Sequence, residues 1–193
     1  MRITDKYVFF FGPEDIYSNF FKADFEVWGQ KYVSVEQFFH WCKAALFQDW
    51  ETAEKILKTE DPKEAKKLGR QVKGFNALVW DLMRVDVMLV GVLHKFWDNV
   101  DLKNQLRNDR NNLSEIRDFV EASPYDKFWG IGFSEKDADK GSNKLQWGKN
   151  QLGRCLNMAS FILNYEIHGG EENVAKEIER RTNGLRDVIC ARN

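Results

Sequence analysis

The sequence predicts an α+β fold: one mainly helical domain with a few short strands and a helical extension at its C-terminus. Three observations carry this expectation. Apolar residues recur at helical spacing along most of the 193-residue chain. Short aromatic and β-branched runs flank turn-rich segments near the N-terminus and once in the second half. Only three prolines occur, with no low-complexity tract or internal repeat, so residues 1–168 are expected to form one domain. From Gly169 the composition turns polar and charged, and residues 169–193 are expected to be an amphipathic appendage rather than core.

"KYVFFFG" and "FEVWGQKYVS" read as short strands on either side of the turn-rich "PEDIYSN". "SVEQFFHWCKA" then opens a helix running to about Phe47. Ser34 with Gln37 three residues later fits a capping box, and Val35, Phe38, Phe39, Cys42 and Leu46 form an apolar stripe. "DWETAEKILKT" gives a second helix. "DPKEAKKLGRQV" gives a third, with Asp61 as N-cap, Pro62 at the first helical position and Glu64 three residues after the cap. Leu82, Val85, Met88, Leu89, Val92 and Phe96 keep helical period in a long helix from Trp80 to Trp97. "IRDFVEAS" resembles a strand, "PYDKFWGIG" a structured loop, and "WGKNQLGRCLNMASFILNYEI" a final core helix.

Hydrophobic residues at 43% and charged residues at 31% are ordinary for a soluble globular chain. Twenty-nine basic against thirty acidic residues argue against non-specific grip on a phosphate backbone, while leaving room for a local basic patch. Cys42, Cys155 and Cys190 are far apart and lack metal-ligand spacing, so reduced thiols and no metal are expected. No signal peptide opens the chain and no apolar run is long enough to span a bilayer, which predicts a cytoplasmic protein that does not enter membranes.

Glu36 and Lys43 lie seven residues apart, so two turns of helix return them to nearly one bearing on the shoulder of the apolar stripe. They stand roughly 10 Å apart along the axis, too far to pair with each other. They either converge on a third group or are two solvated flanks, with the lysine stem lying over Phe39 and Phe47. Asn19 sits in a turn between apolar runs and either binds a ligand or satisfies that turn's own backbone. Asp126 lies between Tyr125 and Phe128, before Trp129 and the pair Gly130 and Gly132. An acid there suits proton transfer, and the glycines suit close approach of backbone to a ligand; a turn residue after Pro124 is the alternative. In "GKNQLG", Gly148 and Asn150 precede a helix whose free N–H groups would suit an anion, or simply cap it. Lys63, Lys66, Lys67, Arg70 and Lys73 form a basic helix face, either solvated surface or a dock for a phosphorylated substrate. His40 is expected on the exposed side of its helix. No role is assigned to it, to His94 or to His168.

Taken together and in order, "FFFG…YSNFF", "YVSVEQFFHWCKAALFQD", "EAKKLGRQVKGF", Trp80 with Arg84, Val87 and Met88, "EASPYDKFWGIG" and "GKNQLG" resemble the NADAR family over roughly residues 7–160. The resemblance implies a NADAR-like fold and hydrolysis of the bond between a ribose anomeric carbon and an amino nitrogen. The substrates it implies are guanine bases bearing ADP-ribose, as nucleoside or nucleic acid, or ribosylamino-pyrimidine phosphates of the riboflavin pathway.

Carried over residue by residue, Lys43 in "HWCKA" becomes the lysine that forms a Schiff base with the opened ribose. Asp126 becomes the proton shuttle, and Glu36 a holder of sugar hydroxyls or a second proton carrier. Trp80, Trp129 and Phe20 become walls for base or sugar, and Arg84 a phosphate or structural partner. Asn19, Gly130, Gly132, Gly148 and Asn150 complete the substrate-binding set. No metal or redox cofactor is implied. Two other classes compete: a non-catalytic module binding ADP-ribose, and an interaction protein whose aromatics are all core. The sequence leaves the oligomeric state open. It departs from the family pattern at "RCLNMASFIL", where members continue with Met and basic residues, and in the additional tail after Gly169.

Overall fold

The computed structural model describes residues 1–109, 115, 117–164 and 168–190. Ile116, at the start of the expected strand, residues 165–167, at the end of the expected last core helix, and residues 191–193 of the tail lie outside the described residues.

Two small sheets and seven α-helices make up the described chain. β1 (Arg2–Ile3) pairs antiparallel with β2 (Tyr7–Phe10), and β2 pairs in parallel with β5 (Asp118–Glu121), Tyr7 opposite Asp118 and Phe10 opposite Glu121. The parallel pair fixes much of the site, because both strands release their chains at the same edge. The run expected as one strand over residues 25–34 is instead a hairpin of β3 (Phe25–Val27) and β4 (Gln30–Tyr32). Trp28 and Gly29, both at positive φ, make its two-residue turn. A tryptophan rarely adopts that backbone. Here its ring packs on Phe38 and Trp41, and its Nε1 donates to the Thr182 carbonyl at 3.1 Å.

The helices are α1 (Val35–Leu46), α2 (Trp50–Lys58), α3 (Pro62–Gly69), α4 (Ala77–Asp98), α5 (Val100–Asn108), α6 (Gln151–Ile162) and α7 (Glu171–Ile189). Ser34 caps α1 by accepting from the Gln37 N–H at 3.2 Å. Gln37 accepts in return from Val33, one residue before the cap, and its amide donates to the carbonyls of Ile56 and Thr59, tying α1 to the end of α2. Asp61 and Pro62 start α3 as the sequence predicts. α4 begins at Ala77, three residues before the expected start, because the Asn76 side chain accepts from Leu78 and Val79. α5 is an element the periodicity did not predict; it buries only Lys103 and Leu106.

The largest departure from expectation is α7. Val174, Ile178, Leu185 and Ile189 are buried in the same core cluster as Phe38, Cys42 and Val90, so the extension contributes to the core instead of lying outside it. A polar anchor reinforces this: Thr182 Oγ1 lies 2.9 Å from His94 Nε2 and donates to the Ile178 carbonyl. Among the described residues no helix is long and apolar enough to cross a membrane, and no group of three potential metal ligands is present.

Candidate active site

A cavity of about 390 Å³ opens beyond the carboxyl ends of β2 and β5. Phe11, Gly12 and Pro13 follow β2 into its wall, and Ser18 and Phe20 come from the next loop. Glu121, Ser123, Tyr125 and Asp126 line it from the end of β5. Lys63, Lys66 and Arg70, spaced three and four residues apart, turn one face of α3 toward it. The basic face expected as either solvated surface or dock therefore looks partly into a cleft. Lys66 Nζ lies 5.1 Å from the Phe20 ring centroid and 3.8 Å from Glu36 Oε1.

Glu36 is only 3% exposed, in the first turn of α1 where the helix dipole favours a negative charge. Asn19 grips it twice: its carbonyl accepts from the Glu36 N–H at 2.9 Å, and its side-chain amide donates to Oε2. Asn19 thus serves the neighbouring helix and not just its own turn. His40 Nε2 lies 3.1 Å from Oε1 of the same carboxyl. The expectation of an exposed His40 fails, because α3 covers that side of α1; His40 is 7% exposed and its ring abuts Gly69. A Cβ on Gly69 would fall 2.0 Å from His40 Nδ1.

Lys43 follows one turn later. Its Nζ donates to the Gly69 carbonyl at 2.9 Å and lies 4.1 Å from the Phe75 ring centroid. No carboxylate forms an ion pair with it among the described residues. Burial lowers its amine below the ordinary lysine value. Glu36 and Lys43 do share one helix face, as the spacing predicts, with His40 standing between them. Neither lines the 390 Å³ cavity itself; Glu36 lies behind its wall at Lys66.

At the end of β5 the chain is clamped. Asn150 Oδ1 accepts from the Glu121 N–H, and the Glu121 carbonyl accepts from Ile131. The Glu121 side chain carries a buried Oε2 with no hydrogen-bond partner among the described residues. Burial, then the charges of Asp126 and Glu36, push its carboxyl up to about 8, against a smaller opposing effect of Lys66. Asp126 Oδ1 accepts from the N–H groups of Phe128 at 2.7 Å and Trp129 at 2.8 Å, so the turn role weighed for it is realised while it also lines the cavity.

The aromatic residues sit deeper than walls of an open pocket would. Trp80, 5% exposed, and Trp129 both pack edge-on against Phe39, at 4.9 and 5.4 Å between ring centroids. Arg84 stacks on Phe128 at 3.5 Å and pairs with Asp81.

The reason for expecting an anion at "GKNQLG" does not hold. The N–H groups of Gly148, Lys149, Asn150, Gln151 and Leu152 all donate to carbonyls of residues 127–131. Gly148 and Gly130 are small because backbone packs on backbone: a Cβ would meet the Lys127 carbonyl at 2.4 Å or the Glu121 carbonyl at 2.7 Å. Gly132 needs its positive φ of 78°. Asn150 spends its side chain on Phe119 and Glu121. These residues hold the end of β5 in place.

Sequence reasoning missed Glu121 and left Lys66, Arg70 and His40 without assigned roles. The available signal was position: Glu121 ends a strand two residues before a Ser-Pro turn, and Lys66 falls on the same side of its helix as Lys63 and Arg70.

With this geometry established, comparison with known proteins gives a consistent result. The NADAR domain model matches residues 9–160. An N-glycosidase of Acanthamoeba polyphaga mimivirus is 37% identical over 164 residues, covering 79% of this chain and 94% of that protein. A riboflavin biosynthesis protein of Vibrio vulnificus is 30% identical over 160 residues, covering 81% of this chain and 38% of its own length. Among solved structures, the NMR structure of the E. coli protein YbiA superimposes with a TM-score of 0.65 at 24% identity, over 86% of this chain and 89% of that one. The chain belongs to the NADAR domain family.

Proposed function

We propose that the protein is an N-glycosidase that cleaves the bond between ribose C1 and an amino nitrogen, removing ADP-ribose from guanine through a covalent adduct with Lys43. The observation that carries this reading is the setting of Lys43. An amine that must attack carbon has to shed its proton, and partial burial without a carboxylate partner among the described residues favours the neutral form. The names of the mimiviral relative and the Vibrio relative support glycosidic chemistry on a nucleotide-like substrate.

The steps balance without a redox change. The nitrogen lone pair opens the ribose ring at C1, giving an imine, and the ring oxygen takes up a proton. The Lys43 amine adds to C1, and the base nitrogen departs with a proton. Water then hydrolyses the lysine imine, releasing the sugar aldehyde and restoring the amine. Glu36, fixed by Asn19, His40 and Lys66, supplies negative charge for the cationic imine, and Asp126 exchanges protons with the sugar. The basic face of Lys63, Lys66 and Arg70 suits the phosphates. A ribosylamino-pyrimidine phosphate is the second candidate substrate, favoured by the name of the Vibrio relative.

The test is intact mass after incubation with guanosine ADP-ribosylated on its amino group, trapped with borohydride, for wild type and Lys43→Ala. An ADP-ribose-sized adduct on wild type alone, with guanosine released, is expected. Adduct and release only with the pyrimidine phosphates would reassign the substrate. Release that survives Lys43→Ala would sink the lysine mechanism.

A further inference from the structure

The cavity contains a carboxyl that the reading above does not use. We propose that Glu121 is a catalytic residue of this site, the acid that gives its proton to the amino nitrogen leaving ribose C1. This rests on the N-glycosidase reading and extends it. Four observations lead to it.

Glu121 lines the cavity directly, at the point where the parallel strand β5 ends. Its backbone is held on both sides, by Asn150 Oδ1 on its N–H and by Ile131 on its carbonyl, so the side chain projects from a rigid base. Gly130 packs against the same carbonyl, leaving no room for a Cβ. Oε2 is buried without a partner among the described residues, and a buried carboxyl oxygen in that position is either neutral or awaiting a group to bond.

The charges around it favour holding a proton. Asp126 faces it from its own loop and Glu36 from α1; Lys66 of α3 is the cation that opposes them, and Lys63 and Arg70 line the same cavity. The residues following β2 that wall the cavity, Phe11, Gly12 and Pro13, carry no charge. Burial and the two carboxylates together hold the Glu121 proton up to about pH 8. Asp126 is less suited to donate, because its Oδ1 is already committed to two backbone N–H groups.

In the step assigned to Glu121, the C1–N bond breaks and its electron pair stays on nitrogen. The carboxyl proton moves to that nitrogen, and the base departs as a neutral amine. Glu121, now a carboxylate, recovers a proton from the water that finally adds at C1. The cycle consumes one water and no other reactant. This pairs the residue with Lys43: one group must be protonated and the other deprotonated at the same pH, which gives a bell-shaped profile.

The experiment compares wild type, Glu121→Gln and Glu121→Asp with both candidate substrates, measuring kcat and KM across pH 5–10. It is paired with a ¹³C titration of the Glu121 carboxyl in the substrate-free wild type. The expected result is a loss of about 10²–10⁴ in kcat for Glu121→Gln with little change in KM, and disappearance of the alkaline limb. Glu121→Asp should recover part of the rate and restore the limb, which a purely structural role would not do. The carboxyl resonance should titrate well above ordinary carboxylates. Wild-type turnover matched by Glu121→Gln, or a carboxyl that titrates in the ordinary range, would overturn the role and leave the glycosidase reading standing. No turnover of either substrate by wild type would overturn that reading and this role with it. The carboxyl titration needs no variant, so a Glu121→Gln protein that failed to fold would not protect the proposal.

Discussion

His40 Nε2 stands 3.1 Å from Glu36 Oε1, and Gly69 of α3 closes against the opposite side of the same imidazole. One glycine therefore positions two site residues, since its carbonyl also holds Lys43 Nζ at 2.9 Å.

Gly69→Ala is the sharpest test of that arrangement. The new Cβ would lie 2.0 Å from Nδ1 and 2.4 Å from Cγ of His40, so the ring or the helix must move. Alanine is otherwise the better helix former, by about 1 kcal/mol. Overpacking of this kind costs about 1–3 kcal/mol. The expected outcome is a net loss of stability together with at least a tenfold loss of kcat/KM. A variant as stable and as active as wild type would show that α1 and α3 are not in contact here.

Asp126 both caps its turn and lines the cavity, and the chemical role proposed for it can be separated from the first. Asn at this position keeps an Oδ1 that accepts from Phe128 and Trp129, whereas Ala removes it. Asp126→Asn should stay within about 0.5 kcal/mol of wild-type stability, and Asp126→Ala should lose about 1 kcal/mol, the usual worth of such a cap. Both should be severely impaired in turnover. Chemical denaturation of the pair separates loop support from chemistry, and full activity of Asp126→Asn would confine the residue to the loop.

Lys95 anchors the loop that carries Asn19 and Phe20. It is 1% exposed, and its Nζ donates to the carbonyls of Ile16 at 2.6 Å and Ser18 at 2.8 Å. Burial lowers its ammonium to about 7. Lys95→Met relieves that desolvation but leaves two carbonyls without their donor, at about 1–3 kcal/mol for each that stays buried and unpaired. The expected result is faster hydrogen exchange over residues 16–21 and weaker substrate binding. Unchanged exchange there would mean that the loop is held by its other contacts.

These positions mark how far the sequence could be read. Helix α1, its cap and the shared bearing of Glu36 and Lys43 were legible, because periodicity and capping are local. The start of α3 was legible for the same reason. Asn19 and Lys66 around the Glu36 carboxyl were not, because one comes from a separate loop and the other from α3; His40 is a local i,i+4 neighbour of Glu36, and only its burial depends on α3 lying across α1. The hairpin at Trp28–Gly29 was missed because tryptophan is a poor signal for a positive-φ turn. Gly130 was legible as a close approach, but the approaching partner is the chain's own backbone at Glu121.

Glu121 should also make stability depend on pH. Its unfolded-state value is 4.5 and its folded value about 8. Below pH 4.5 both states hold the proton and the residue adds no pH slope. Between 4.5 and 8 the folded chain keeps a proton that the unfolded chain has lost, so this contribution to stability falls as pH rises. Glu121→Gln cannot ionise and removes the slope. Each unit of offset is worth about 1.4 kcal/mol, so the variant should gain at least that much on wild type between pH 4 and pH 8 in urea titrations. A stability difference that does not change with pH would place the folded carboxyl in the ordinary range.

The C-terminal helix offers the last prediction, because its composition and its packing point in opposite directions. Nine of the nineteen residues of α7 are charged, yet Ile178 is only 4% exposed and lies in the main core cluster. If the helix were an appendage, Ile178→Ala would change stability by less than about 0.5 kcal/mol. As a core position it should cost about 2–5 kcal/mol, the usual cost of truncating a buried isoleucine to alanine. Thr182→Val should add a smaller loss by removing the hydroxyl that meets His94 at 2.9 Å. Truncation before Glu171 should be worse than either, since it exposes the faces of α1 and α4 that α7 covers. Thermal melts of the three proteins order these effects, and a truncated chain melting with wild type would return the extension to the periphery.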